Sequence, residues 1–147
     1  MELTSPNFDD GGDLPAVHAL DGGNVSPPLQ ISAVDGSARS LVLLMDAPDS
    51  PLGCFTHWLL WNLAPATSVI EQGEAPPEAE VGLNGFGRLG YAGPCPALGR
   101  HAYRFRLFAL DIELEATTGD RRDQIEDEMK DHVMAVATLT GHCAASV

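Results

Sequence analysis

The sequence predicts a mainly β fold with one late helix, in a single domain covering 1–147. Three observations carry that reading. Short apolar or alternating runs recur along the chain, and 11 prolines and 15 glycines cut it into short elements. Apolar residues follow helical spacing in one place only, near Ile125 and Met129. A chain of 147 residues can bury a core of its own, so neither disulfides nor zinc are needed to hold it together.

The elements follow in order. Ser40–Met45 is a continuous apolar run, as expected of a strand covered on both faces. Thr56–Leu63 is a second strand. Regular alternation puts His57, Leu59, Trp61 and Leu63 on one face, and Thr56, Trp58, Leu60 and Asn62 on the other. Glu71–Glu80 is acidic, proline-bearing and aperiodic, and reads as an exposed loop. His101–Leu110 alternates clearly: His101, Tyr103, Phe105 and Leu107 share a face, and Arg104 and Arg106 point away from it. A helix capped by Asp120 carries Ile125 and Met129. Val133–Thr140, ending at Gly141, is the last strand.

Charge narrows the range of partners. Lys+Arg 8 against Asp+Glu 21 gives −13, and a field of that sign repels nucleic acid and anionic membrane surfaces. Seven of the basic residues are arginine and only Lys130 is lysine, a composition suited to a saline cytoplasm where acidic self-repulsion is screened. The apolar runs are too short to span a bilayer, so no integral membrane contact is expected. The first residues lack a basic segment leading into an apolar one, and Cys54, Cys95 and Cys143 form no disulfide framework, so a reducing cytoplasm is expected.

Three stretches carry residues that a core would not select. Asp46-Ala47-Pro48-Asp49-Ser50-Pro51 is a rigid acidic turn directly after a buried strand. His57 lies on an otherwise apolar strand, where it must be satisfied by hydrogen bonds or line a cavity. Gly90–Pro96 is a Gly/Pro loop that leads toward His101 and Tyr103, which share a strand face. Imidazole, phenol and loop N–H groups together suit a small oxyanion. Cys54 and His57 form a C-x-x-H pair with no second pair at ligand spacing, so no metal is expected. Asn84–Gly90 lacks the strand–turn–helix setting of a nucleotide-binding loop.

In this order the motifs resemble the phosphatidylethanolamine-binding protein family, also called the Raf kinase inhibitor-like family, in its short bacterial and archaeal branch. They are Asp46–Pro51, Gly53–Trp58, Asn84–Gly87, Gly90–Pro96 and Gly99–Phe105, with Ser26-Pro27-Pro28-Leu29 before them and the late helix leading into His132 after them. The resemblance implies a β-sandwich around a central sheet with one or two short helices and a small anion pocket at one end. By the same resemblance His57, His101 and Tyr103 are pocket residues, Gly93 and Pro94 belong to the loop closing over the anion, and Asp49 and Pro51 to the acidic turn. One departure stands out. The family's turn usually reads D-P-D-x-P with its first aspartate facing the pocket, but here that place is Ala47, and an aspartate stands one residue earlier, at Asp46. A one-residue step on a strand reverses the face, so Asp46 replaces the lost carboxylate only if the turn bulges.

The implied function is non-enzymatic binding of a phosphate- or carboxylate-bearing ligand resembling a phospholipid head group, without a cofactor. Inhibition of a kinase or protease partner, and weak hydrolysis with His57 or His101 as base, are the alternatives. The branch also suggests a homodimer.

Overall fold

The computed structural model describes residues 1–50 and 54–145. Pro51 and Gly53, both part of the motifs above, lie outside the described residues. In chain order the elements are β1 (Glu2–Thr4), β2 (Leu29–Ser32), β3 (Ser40–Ala47), β4 (Phe55–Leu63), β5 (Val69–Ile70), β6 (Glu80–Val81), β7 (Arg100–Leu110), α1 (Arg122–Met129) and β8 (Val133–Ala144). A 3-10 turn at Ala16–His18 precedes β2.

Two antiparallel sheets result, a small one in the order β1-β2-β5 and a large one in the order β6-β4-β3-β7-β8. The apolar run on β3 is buried along its whole length because it is the central strand and both its faces are covered. Toward the small sheet, Leu41, Leu43 and Met45 join Leu29, Ile31, Phe105 and Leu107 in one core. Toward α1, Val42 and Leu44 join Leu59, Trp61, Ile125 and Met129 in a second. The large sheet is therefore the middle layer of three, as the mainly β reading with one helix requires.

On β7 the alternation holds: Tyr103, Phe105 and Leu107 enter the first core, and Arg104 and Arg106 turn to the opposite face. On β4 it does not. Asp46 pairs with Thr56 but Met45 pairs with Trp58, so His57 is an extra residue in the ladder. A bulge of this kind re-aims a side chain. It turns His57 to the side of Phe55 and Tyr103 instead of that of Leu59 and Trp61. A second irregularity lies between the pairs Leu41–Leu63 and Leu43–Leu60, where Asn62 adopts φ 55°, and it returns Leu63 to the first core.

The helix start also needs correction. The residue before the first turn is Arg121, with no side-chain cap, whereas the Asp120 carboxylate accepts the Thr117 N–H at 2.9 Å. Asp120 closes the preceding turn and does not cap the helix. Glu80, the last residue of the expected acidic loop, pairs with Trp61 at the start of β6.

Candidate functional site

β4 and β7 flank β3 and send His57, Tyr103 and His101 to one end of the sandwich. There they line a cleft of about 620 Å³ together with Ala47, Asp49, Phe55, Phe86 and Leu98. Cys95 and Pro96 border it from the Gly/Pro loop. Among the described residues lining it there is no lysine or arginine, and Asp49 is the one carboxylate. The walls are chiefly apolar. Phe55 stands 4.9 Å from His57 and 4.9 Å from Phe86, ring centre to ring centre, and His57 meets Tyr103 edge to face at 5.2 Å.

The two histidines are held from behind by backbone carbonyls. Nδ1 of His57 is 2.6 Å from the Ala92 carbonyl oxygen, and Nε2 of His101 is 2.6 Å from that of Leu98. His57 is 3% exposed, and burial pushes its pKa below the ordinary value although the Ala92 and Gly93 carbonyls and the Asp46 charge pull the other way. Burial also raises the Tyr103 phenol above its usual value, so it keeps its proton and can donate a hydrogen bond. The Cys95 thiol is raised too, by burial and then by the Asp21 charge, and remains protonated.

Three of the expected pocket residues stand elsewhere. The Asp46 carboxylate is fully buried on the α1 side of the sheet, where Arg104, Arg106 and Arg122 hold it. The one-residue step in the turn has the effect that strand geometry requires, and the bulge lies opposite, at His57, where it cannot bring Asp46 round. Gly93 donates its N–H to Asn24 Oδ1 at 2.7 Å, and the Pro94 carbonyl accepts from the Leu20 N–H at 2.9 Å. Those two residues anchor the loop to the segment after the 3-10 turn, and residues 95–98 are the ones that face the cleft. Asp49 is at the cleft as expected; Pro51 lies outside the described residues. Cys54 and His57 are separated by the sheet, since Cys54 Sγ accepts from Arg104 at 3.4 Å on the α1 side.

Spacing alone missed the walls. Phe55, Phe86 and Leu98 come from separate segments, and the bulge that turns His57 to the side of Phe55 is invisible in an apolar run. The buried His18 was also missed. Its Nδ1 donates to the Val25 carbonyl at 2.8 Å, and its own carbonyl accepts the Tyr91 hydroxyl at 2.7 Å, so it ties the Gly/Pro loop down from behind.

Two sheets with a His/His/Tyr cleft at one end define the class of fold, and the comparisons give it a family. The phosphatidylethanolamine-binding protein profile matches residues 4–144. A UPF0098 protein of Methanothermobacter thermautotrophicus is 40% identical over 146 residues, covering 96% of this chain and 97% of that protein. A UPF0098 protein of Pyrococcus abyssi is 39% identical over 149 residues, covering 96% and 84%. Among solved structures, CT736 of Chlamydia trachomatis, described as a phosphatidylethanolamine-binding protein homologue, superposes with a TM-score of 0.93 at 36% identity over 99% of this chain and 97% of that one. E. coli YbcL shares the fold, with a TM-score of 0.92 at 24% identity over 99% and 98%. The chain belongs to the phosphatidylethanolamine-binding protein family.

Ala47 lines the cleft with His57, so it marks where a carboxylate would enter it. Placing one there with Ala47→Asp is expected to raise the His57 pKa, because a nearby negative charge favours imidazolium. Titration of the His57 ring protons by NMR reads this directly, and an unmoved midpoint would mean that residue 47 does not face the imidazole.

Proposed function

We propose that this protein is a non-enzymatic binding protein whose cleft holds a small ligand bearing a phosphate or carboxylate group, of the kind found in phospholipid head groups. The convergence of His57, His101 and Tyr103 on one apolar cleft supports this reading most directly. Low-dielectric walls strengthen each hydrogen bond to a bound oxyanion, so a few such bonds suffice without a lysine or arginine. The same arrangement disfavours hydrolysis. A general base needs an orienting, charge-stabilising partner, and the pocket-facing place before Pro48 is Ala47. That the long-range field is unfavourable follows from the −13 charge, so binding should gain from added salt that screens it.

Calorimetric titration with inorganic phosphate and phosphoethanolamine at constant ionic strength tests the proposal. Saturable binding is expected, with His57→Ala and His101→Ala each costing about 1.5–3 kcal/mol, the worth of a hydrogen bond to a charged group. Absence of saturable binding, or indifference to both substitutions, rejects it.

A further inference from the structure

We propose that the cleft takes its oxyanion together with a proton, so that its ligand is the acid form of a small oxyanion carried on an apolar body. This rests on the binding reading above and specifies the chemistry of what binds.

The argument begins with which ring nitrogen carries the proton. A carbonyl oxygen can only accept, so the His57 nitrogen 2.6 Å from the Ala92 carbonyl must be Nδ1–H. A neutral His57 then has its lone pair on Nε2, the nitrogen left for a ligand. The same logic fixes His101 the other way round. Its Nε2–H donates to the Leu98 carbonyl, and the neutral ring keeps its lone pair on Nδ1. Both imidazoles that line the cleft therefore present an acceptor, not a donor, in their neutral form. A fully ionised oxyanion would meet two lone pairs. The mismatch disappears if a proton is placed between ring and ligand, whether the ligand brings it as P–OH or the ring takes it up and becomes a donor. The proton comes from solvent in either case when the free ligand is fully ionised.

The groups around the rings do not supply that proton's charge in another way. His57 meets Tyr103 on β7 and shares the cleft with Asp49 from the turn after β3, with Cys95 from the Gly/Pro loop and with Leu98 beyond it, while on the far side of the sheet Asp46 stands among Arg104, Arg106 and Arg122. His101 lines the cleft beside Tyr103, its neighbour on the same strand face, with Cys95 also at the cleft, and pairs with Cys143 on β8. The Cys95 and Cys143 thiols are raised and uncharged, and among the described residues no lysine or arginine lines the cleft, so a proton is the positive charge that can stand next to a bound oxyanion there. Burial of His57 works with the geometry, keeping the empty site in the neutral, lone-pair-presenting form. Phe55, Phe86, Leu98 and Ala47 supply the complementary surface for an apolar body next to the acidic head.

Phenylphosphonate is a suitable probe because it is fully ionised at about pH 8 yet readily accepts a proton. Calorimetric titration at that pH, in two buffers of contrasting ionisation enthalpy, counts the protons exchanged. Uptake of about one proton per ligand is expected, with affinity rising as pH falls toward about 6. Saturable binding without proton exchange, at an affinity flat across that range, overturns this inference and leaves the anion pocket standing. No saturable binding of phosphate, phosphoethanolamine or phenylphosphonate, even at about pH 6, overturns the binding reading and this inference with it. His57→Gln and His101→Asn each put a permanent amide donor near the nitrogen that meets the ligand, and each is expected to lower the proton count. A count unchanged in both variants removes the assignment to the imidazoles. Methylphosphonate, which lacks the ring, is expected to bind about tenfold more weakly. Equal affinities for the two phosphonates overturn the apolar body, and tighter binding of phosphoethanolamine than of either identifies a head group as the preferred source of the phosphate.

Discussion

Replacing Asp46 by alanine is expected to cost about 3–5 kcal/mol of folding stability, the loss seen when one member of a buried charge network is removed. The carboxylate has no exposed surface. Oδ1 accepts Arg104 Nε at 2.6 Å, and Oδ2 accepts Arg106 and Arg122 at 2.9 Å each. Three guanidinium groups thus share one acid, and its removal leaves them facing one another in a poorly solvated site. The network also joins layers. Arg104 and Arg106 belong to β7 and Arg122 opens α1, where it further reaches Thr56 Oγ1 at 3.2 Å and Glu126 at 2.9 Å. Helix docking on the sheet is therefore coupled to the charge on Asp46. The pH dependence follows from the same contacts. Burial pushes the carboxyl pKa upward, but the hydrogen bond from Arg104 and the charges of Arg106, Arg122 and Arg104 together hold it below the usual value. A group depressed in the folded state contributes its stability above the ordinary carboxylate range and loses it as pH falls through the folded value. Asp46→Asn, which keeps the shape and removes the charge, should flatten that acid limb. Urea unfolding of wild type and both variants at about pH 7 and about pH 3 checks both parts. A loss below about 1 kcal/mol for the alanine variant would reduce the cluster to a surface pair in energetic effect.

Residues of regular strands are legible in the sequence to the extent that a pleat is regular. On β7 each residue alternates as it should, so the two-residue period alone assigns Arg104 and Arg106 to the face away from Tyr103 and Phe105. The same period correctly separates Asp46 from the place of Ala47. It fails at His57, because a continuous apolar run such as 58–61 has no polar face to reveal a bulge, and the extra residue reverses the faces of 58–61 relative to His57 until the irregularity at Asn62 returns Leu63 to its side. The strands β1, β2, β5 and β6 have two to four residues each and are too short for a period to stand out. For the Gly/Pro loop the sequence indicates a close backbone approach without saying to what. The approach at Gly93 is to His18, Ala19 and Leu20, not to a ligand, and nothing local in Gly90–Pro96 distinguishes the two.

That close approach gives the second large effect. Gly93→Ala is expected to destabilise the fold by about 3 kcal/mol, the upper part of the range for forcing an extra methyl into packed structure. A Cβ at this position would collide with the His18 carbonyl oxygen and lie 2.8 Å from the Leu20 nitrogen and 2.9 Å from the Ala19 carbonyl carbon. All three are backbone atoms, so no rotamer change relieves the overlap. The loop cannot withdraw freely either. On one side it is tied to Asn24 and Leu20 through Gly93 and Pro94. On the other, Ala92 donates to the His57 carbonyl at 2.9 Å and accepts from His57 Nδ1. Any shift that accommodates the methyl therefore pulls on the hydrogen bond that sets the proton position on His57, as well as on Cys95 and Pro96 at the cleft. Stability and phosphate affinity should fall together in this variant. Gly36→Ala is the matched control, since a Cβ there meets nothing within 4 Å. If chemical denaturation separates the two variants by less than about 0.5 kcal/mol, the loop has slack enough to absorb the methyl. If Gly93→Ala loses stability but binds phosphate as wild type does, the loop's seat on His18 and the anion site are independent, and the tether through Ala92 does not transmit the strain.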